Sequence, residues 1–118
     1  MAIAVAATRQ ALADTYKTQG GAGTVWVSLH TGDPGTTGTA EASGGSPAYA
    51  RKQSTWTSGS GGVLTGSQVV IDVPAGTYTY AGLWTAVSGG TFIDKVAITS
   101  TNLGSQGQIL VTPSYTQS

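Results

Sequence analysis

The chain has 118 residues, no cysteine and a single histidine, and its five basic and five acidic side chains leave a formal net charge of zero. The missing cysteines exclude a disulfide framework, thiolate metal sites and a cysteine nucleophile. Only 8% of residues are charged, against about 25% in ordinary domains, which argues against a basic face for nucleic acid. So little charge also does little to keep a free monomer soluble, and points toward a protein that works inside an assembly. The length is that of one domain, 1–118, able to bury about two-thirds of its unfolded surface.

Met1 to Ala7 is apolar, and Ala11-Leu12-Ala13 imitates a small-x-small cleavage site. No basic segment precedes the run, and Arg9 and Gln10 interrupt it, so no signal peptide is expected. No apolar stretch approaches the ~20 residues that cross a bilayer, and no membrane contact is expected. Within the N-terminal segment 1–20 the pattern predicts a helix from about Thr8 to Tyr16, with Thr8 as N-cap and Gly20-Gly21 as the stop. Its sheet-facing stripe would be Ala11, Leu12, Thr15 and Tyr16.

Strands follow. Thr24 to His30 alternates with Val25, Val27 and Leu29 on one face. Ala48 to Thr57 reads as a second, more polar strand, and Gly59 to Gly62 as a flexible break. Gln68 to Val73 turns at Pro74-Ala75-Gly76 into Tyr78 to Thr85, where Ala81 and Leu83 oppose Tyr80, Gly82 and Trp84. Ser88-Gly89-Gly90 makes a hairpin into Thr91 to Thr99, and Gln108 to Thr112 is the last. Short strands with frequent turns and no βαβ alternation predict an all-β fold. The expected form is an antiparallel, jelly-roll-like β-sandwich of about six or more strands with a short N-terminal helix.

Between the first two strands lies a polar loop, 31–47, long for a compact domain. His30 and Asp33 invite thoughts of general base chemistry, with Ser28 on the same strand face as His30. The plainer reading is that His30 ends a strand and Asp33, before Pro34 and Gly35, caps a turn through its own backbone. The acids Asp33, Glu41, Asp72 and Asp94 are scattered, no calcium-loop or phosphate-loop pattern occurs, and one histidine does not make a zinc site. No catalytic residue, cofactor or metal is expected. Arg51 is placed to pair with Glu41 and pin the loop. Trp84 and Tyr80, if exposed together, would form a platform for stacking on sugars; otherwise they line a core or a contact between subunits.

The string LHTGDPGTTGTAEASGGSPAYAR (Leu29–Arg51), followed by Val73-Pro74-Ala75-Gly76, Gly82-Leu83-Trp84 and Gly89-Gly90-Thr91-Phe92, resembles a family of small structural proteins of tailed bacteriophages. The resemblance runs from about Trp26 to about Val96 and implies a place in a virion, with synthesis in the host cytoplasm. It implies a non-enzymatic minor tail protein held among other virion proteins and itself oligomeric. Two alternatives stay open: a capsid decoration protein stabilising the shell, and a carbohydrate-binding module for host glycans. The residues expected to carry interaction are His30, Asp33, Pro34, Glu41, Tyr49, Arg51 and Trp84.

Overall fold

The computed structural model of the chain describes residues 2–118. It is an all-β, sandwich-like fold with one N-terminal helix, as the alternation predicts. Helix α1 (Ala6–Lys17) precedes β1 (Thr24–His30), β2 (Lys52–Ser58), β3 (Val63–Gly66), β4 (Val69–Val73), β5 (Gly76–Trp84), β6 (Phe92–Leu103), β7 (Gly107–Val111) and β8 (Ser114–Thr116). Six of the strands form a sheet in the order β6-β5-β1-β2-β3-β8, and β4 pairs with β7 in a second sheet. All pairings are antiparallel.

The period of two in β1 decides the layers. Val27 and Leu29 point with Tyr78 and Ala81 of β5 onto Val69, Ile71, Val73 and Ile109 of the small sheet. Val25, on the same face, packs with Trp56 and Leu64 beneath Ala13 of α1. The small sheet and the helix therefore divide one face of the large sheet between them. Full burial of such side chains is worth about 1.5–3 kcal/mol each. Tyr78 joins this face because a bulge between Tyr78 and Tyr80 shifts the alternation, and its hydroxyl donates to Pro74 O at 2.7 Å.

Three expectations are corrected. The helix starts at Ala6 after Val5, which offers no side-chain cap, so Thr8 lies inside it. Its inward face is Ala13 and Tyr16, whereas Ala11 and Leu12 are exposed, Leu12 by 44%. Hydrogen bonds choose that face: Gln10 Oε1 accepts from the backbone of Gly62 and Val63, and Arg9 Nε donates to Gly61 O. The second strand begins at Lys52, because Gly45 to Ala48 form a turn. The break at Gly59 to Gly62 is loop as expected, and β3 after it and β8 at the end are two further strands that no expectation covered. They are four and three residues long, too short for a period to register, and each exists through its pairing with a neighbour.

Candidate functional site

The other face of β1 carries Trp26, Ser28 and His30, opposite Trp84, Gly82 and Tyr80 of β5. The polar loop closes over this face. It is folded by its own backbone: Ala42 N donates to Leu29 O, Thr31 N to Ala40 O, and Gly38 N and Thr39 N to Pro34 O. A single bridge pairs His30 with Glu41. Pro34 is buried within the loop, and Ala42 packs into the inner core with Val27 and Leu29. Asp33 caps the turn as expected, its Oδ1 accepting from Gly35 N at 2.9 Å.

Beneath the loop runs a closed chain of polar groups. Thr39 O can only accept, so His30 Nδ1, 2.7 Å away, carries the proton. Nε2 then accepts from the Ser28 hydroxyl at 2.7 Å, and Ser28 Oγ accepts from the Trp84 indole N–H at 2.9 Å. The chain is satisfied with a neutral imidazole. Burial holds the His30 pKa below its usual value; the nearby Arg51 pushes the same way, and the Thr39 carbonyl and Glu41 offset part of it. Gly82 is glycine for a local reason: a methyl group there would lie 2.5 Å from Ser28 Oγ and 2.8 Å from His30 Nε2.

Arg51 is the second hub. Its Nε and Nη2 meet Glu41 Oε2 and Oε1 at 2.8 and 2.9 Å, and its Nη1 donates to Ala86 O and Gly89 O, both at 2.9 Å. Its guanidinium also lies 3.6 Å from the centroid of the Trp84 ring, which Phe92 meets edge-on at 5.0 Å. Tyr49 donates its hydroxyl proton to Glu41 Oε2 at 2.7 Å and accepts from Leu29 N at 3.2 Å. Burial alone would raise the Glu41 pKa, but the bonds from Arg51 and Tyr49 outweigh it and hold the carboxyl below its ordinary value. Burial and the bond to Glu41 push the Tyr49 phenol up. The pairing of Arg51 with Glu41 expected from the sequence is therefore present, and bidentate.

Of the seven residues singled out in the sequence, His30, Pro34, Glu41, Tyr49, Arg51 and Trp84 converge on this loop–sheet interface. Asp33 does not. It sits at the exposed end of the loop, paired with Lys95 Nζ of β6 at 2.5 Å, and Lys95 and the Gly35 amide lower its pKa. The His30–Asp33 pair therefore does not form; Ser28 is the partner of His30, and neither has solvent exposure. The sugar platform is also corrected: Trp84 is 7% exposed, with Gly38 against its ring and Arg51 over it. Sequence reasoning singled out none of Gly38, Thr39 and Phe92, although all three lie in the strings that carry the resemblance, the first two in Leu29–Arg51 and the last in Gly-Gly-Thr-Phe. Among the described residues no group of three His, Asp or Glu is placed to hold a metal ion.

Residues 5–116 match a family described as podophage GP4 fiber I protein gp80. The match covers almost the whole chain, and the chain belongs to that family of fibre-like structural proteins of tailed phages. No curated protein matches it.

Proposed function

We propose that this protein is a non-enzymatic minor tail protein of a tailed-phage virion, built into the particle through contacts with other virion proteins near its fibres. The family match carries the reading. The site supports it, because a serine–histidine pair without solvent exposure has no route to substrate, and its hydroxyl is already engaged at both ends. Apart from Asp33 at its end, what the loop leaves outside is uncharged. Gly35 to Thr37 and Ser43 to Ala48 are exposed and carry no charge, so a partner can cover them without stripping water from unpaired ions. The loop beneath is already ordered by Arg51 and His30, which keeps the entropy lost on docking small.

Copy number per particle tests this. Mass spectrometry of purified virions against the major capsid protein is expected to return a small number of copies, in multiples of three or six. Hundreds of copies would make it a capsid decoration protein. Absence from the particle would end the structural reading altogether.

A further inference from the structure

The chain has no cysteine, so a covalent brace across this fold has to come from other side chains. Two tyrosines are arranged for one. Tyr16 lies in the last turn of α1 and Tyr115 on β8, and their rings are 10° from parallel with centroids 3.8 Å apart. Among the described residues this is the one stacked pair of aromatic rings; the others meet edge-on. The remaining tyrosines have no such neighbour. Tyr49 and Tyr78 donate to Glu41 and to Pro74 O, and Tyr80 lies beneath Lys95.

Face-to-face stacking is the approach that joins two phenols. Removing an electron and a proton from tyrosine leaves a phenoxyl radical, whose unpaired density on the ring carbons beside the oxygen stands perpendicular to the ring plane. Two such rings therefore bond through their faces, and this pair sits within a few tenths of an ångström of the ~3–3.5 Å of a near-attack arrangement. Tyr16 also has a base in place. Its hydroxyl donates to Asp94 Oδ2 at 2.7 Å, and Lys95 N steadies the carboxylate by donating to Oδ1 at 2.9 Å. Burial and the bond to Asp94 push the Tyr16 phenol up, so its proton stays until the electron leaves and then passes to Asp94. Tyr115 donates to Gln117 Oε1 at 2.7 Å. Both rings are half-buried and, with Asp94, line a groove of about 450 Å³ between β6 and the β7–β8 segment, which admits a small oxidant. Strand β8 is three residues long with only β3 beside it, so Tyr115 is free to move in to bonding distance.

We propose that Tyr16 and Tyr115 are the site of an oxidative modification, a carbon–carbon dityrosine bond that ties α1 to β8. The co-reactant is a one-electron oxidant, such as a peroxide-derived radical, acting twice. Each ring gives up one electron; the Tyr16 proton leaves through Asp94 and the Tyr115 proton goes to water. The new bond joins the ring carbons beside the two oxygens, and the hydrogen on each of those carbons moves to its oxygen, which restores both aromatic rings. The product is lighter by two hydrogens. It closes a covalent loop from Tyr16 to Tyr115 and fixes the curl of the large sheet, whose two edge strands both touch Tyr16. The inference is independent of the position the protein takes in the particle.

Brief illumination of the purified full chain with tris(bipyridyl)ruthenium and persulfate, which generates a one-electron oxidant in solution, tests it. Trypsin then releases Gln10–Lys17 and Val96–Ser118, each with a single tyrosine. Mass spectrometry is expected to find these two peptides joined, less two hydrogens, as the main product, and the monomer to gain dityrosine fluorescence. In a mixture of isotope-labelled and unlabelled chains, the joined peptides should be both labelled or both unlabelled. The cross-linked monomer should melt about 10 °C higher than the untreated protein. Tyr115→Phe keeps the ring and loses the phenol, and should reduce the link to background; Asp94→Asn should slow it about 100-fold. Cross-links that fall mainly at Tyr80 or another tyrosine overturn the proposal. So do joined peptides of mixed label, which place the reaction between molecules, and a wild-type rate in Asp94→Asn overturns the part given to Asp94.

Discussion

Arg51 makes contacts that no other side chain could make together: a two-point grip on Glu41, two backbone carbonyls and the face of an indole. A planar fork does this and a lysine ammonium does not. Arg51→Ala is expected to lower unfolding free energy by about 2–3 kcal/mol, below the roughly 3–5 kcal/mol for breaking a fully buried ion pair because Glu41 keeps 22% of its surface. Arg51→Lys should recover less than half of it; urea unfolding measures both. The pH dependence follows from the two neighbours. His30 is held below 6.5 by burial, so between that value and its native pKa the unfolded chain binds the proton and the folded one does not. Its contribution is present above about pH 6.5 and is lost as pH falls through the lowered native value. Glu41, held below 4.5 by Arg51 and Tyr49, acts in the same direction: its contribution is present above about pH 4.5 and goes as pH falls further. Thermal unfolding is expected to be flat at neutral pH and to fall in two stages on acidification. His30→Gln, though less stable throughout, should lack the first.

At the scale of elements, the loop between β1 and β2 behaves as a layer of the fold and not as a tether. Gly38 has φ 81° and lies against the Trp84 ring, whereas Gly35 has φ 64° and open space around it. Ala at Gly35 should cost about 1 kcal/mol for the backbone alone, and Ala at Gly38 about 2–3 kcal/mol because the ring must also move. The difference between the two melting temperatures isolates the contact. A loop held in this way should resist protease: limited digestion of the free protein is expected to spare Gly35 to Ser46 in the wild type and to cut there in Arg51→Ala. The loop's turn residues and the charge pair were readable in the string Leu29–Arg51. Its destination was not, because burial under Gly38 and Thr39 belongs to contacts that no local pattern encodes. The helix teaches the same lesson. Ala13 faces the sheet because Arg9 and Gln10 are tied to the β2–β3 turn, and a stripe chosen by hydrophobicity pointed to Leu12 instead.

For the whole molecule, Tyr16 is the clasp. Its ring stacks on Tyr115 of β8 with centroids 3.8 Å apart, and its hydroxyl donates to Asp94 of β6 at 2.7 Å. Those are the two edge strands of the large sheet, so the sheet must curl far enough for one side chain at the end of α1 to touch both. Tyr16→Phe removes only the hydrogen bond and should cost about 1 kcal/mol. Tyr16→Ala also removes the stacked ring and the edge contact with Trp56, and should cost about 3 kcal/mol; chemical unfolding of the pair separates clasp from packing.

What could be known from residue order was whatever repeats at short range. The alternation of β1, β4 and β5 made the fold all-β, the Asp-Pro-Gly run made a capped turn, and an arginine ten residues after Glu41 made an ion pair. The packing of distant parts settled the rest. A period of two says that a strand has two different faces, but not what covers either one. The loop over Ser28, His30 and Trp84, the six-and-two division of the strands and the groove left beside β6 all arise from long-range contacts, and these have no signature in neighbouring residues.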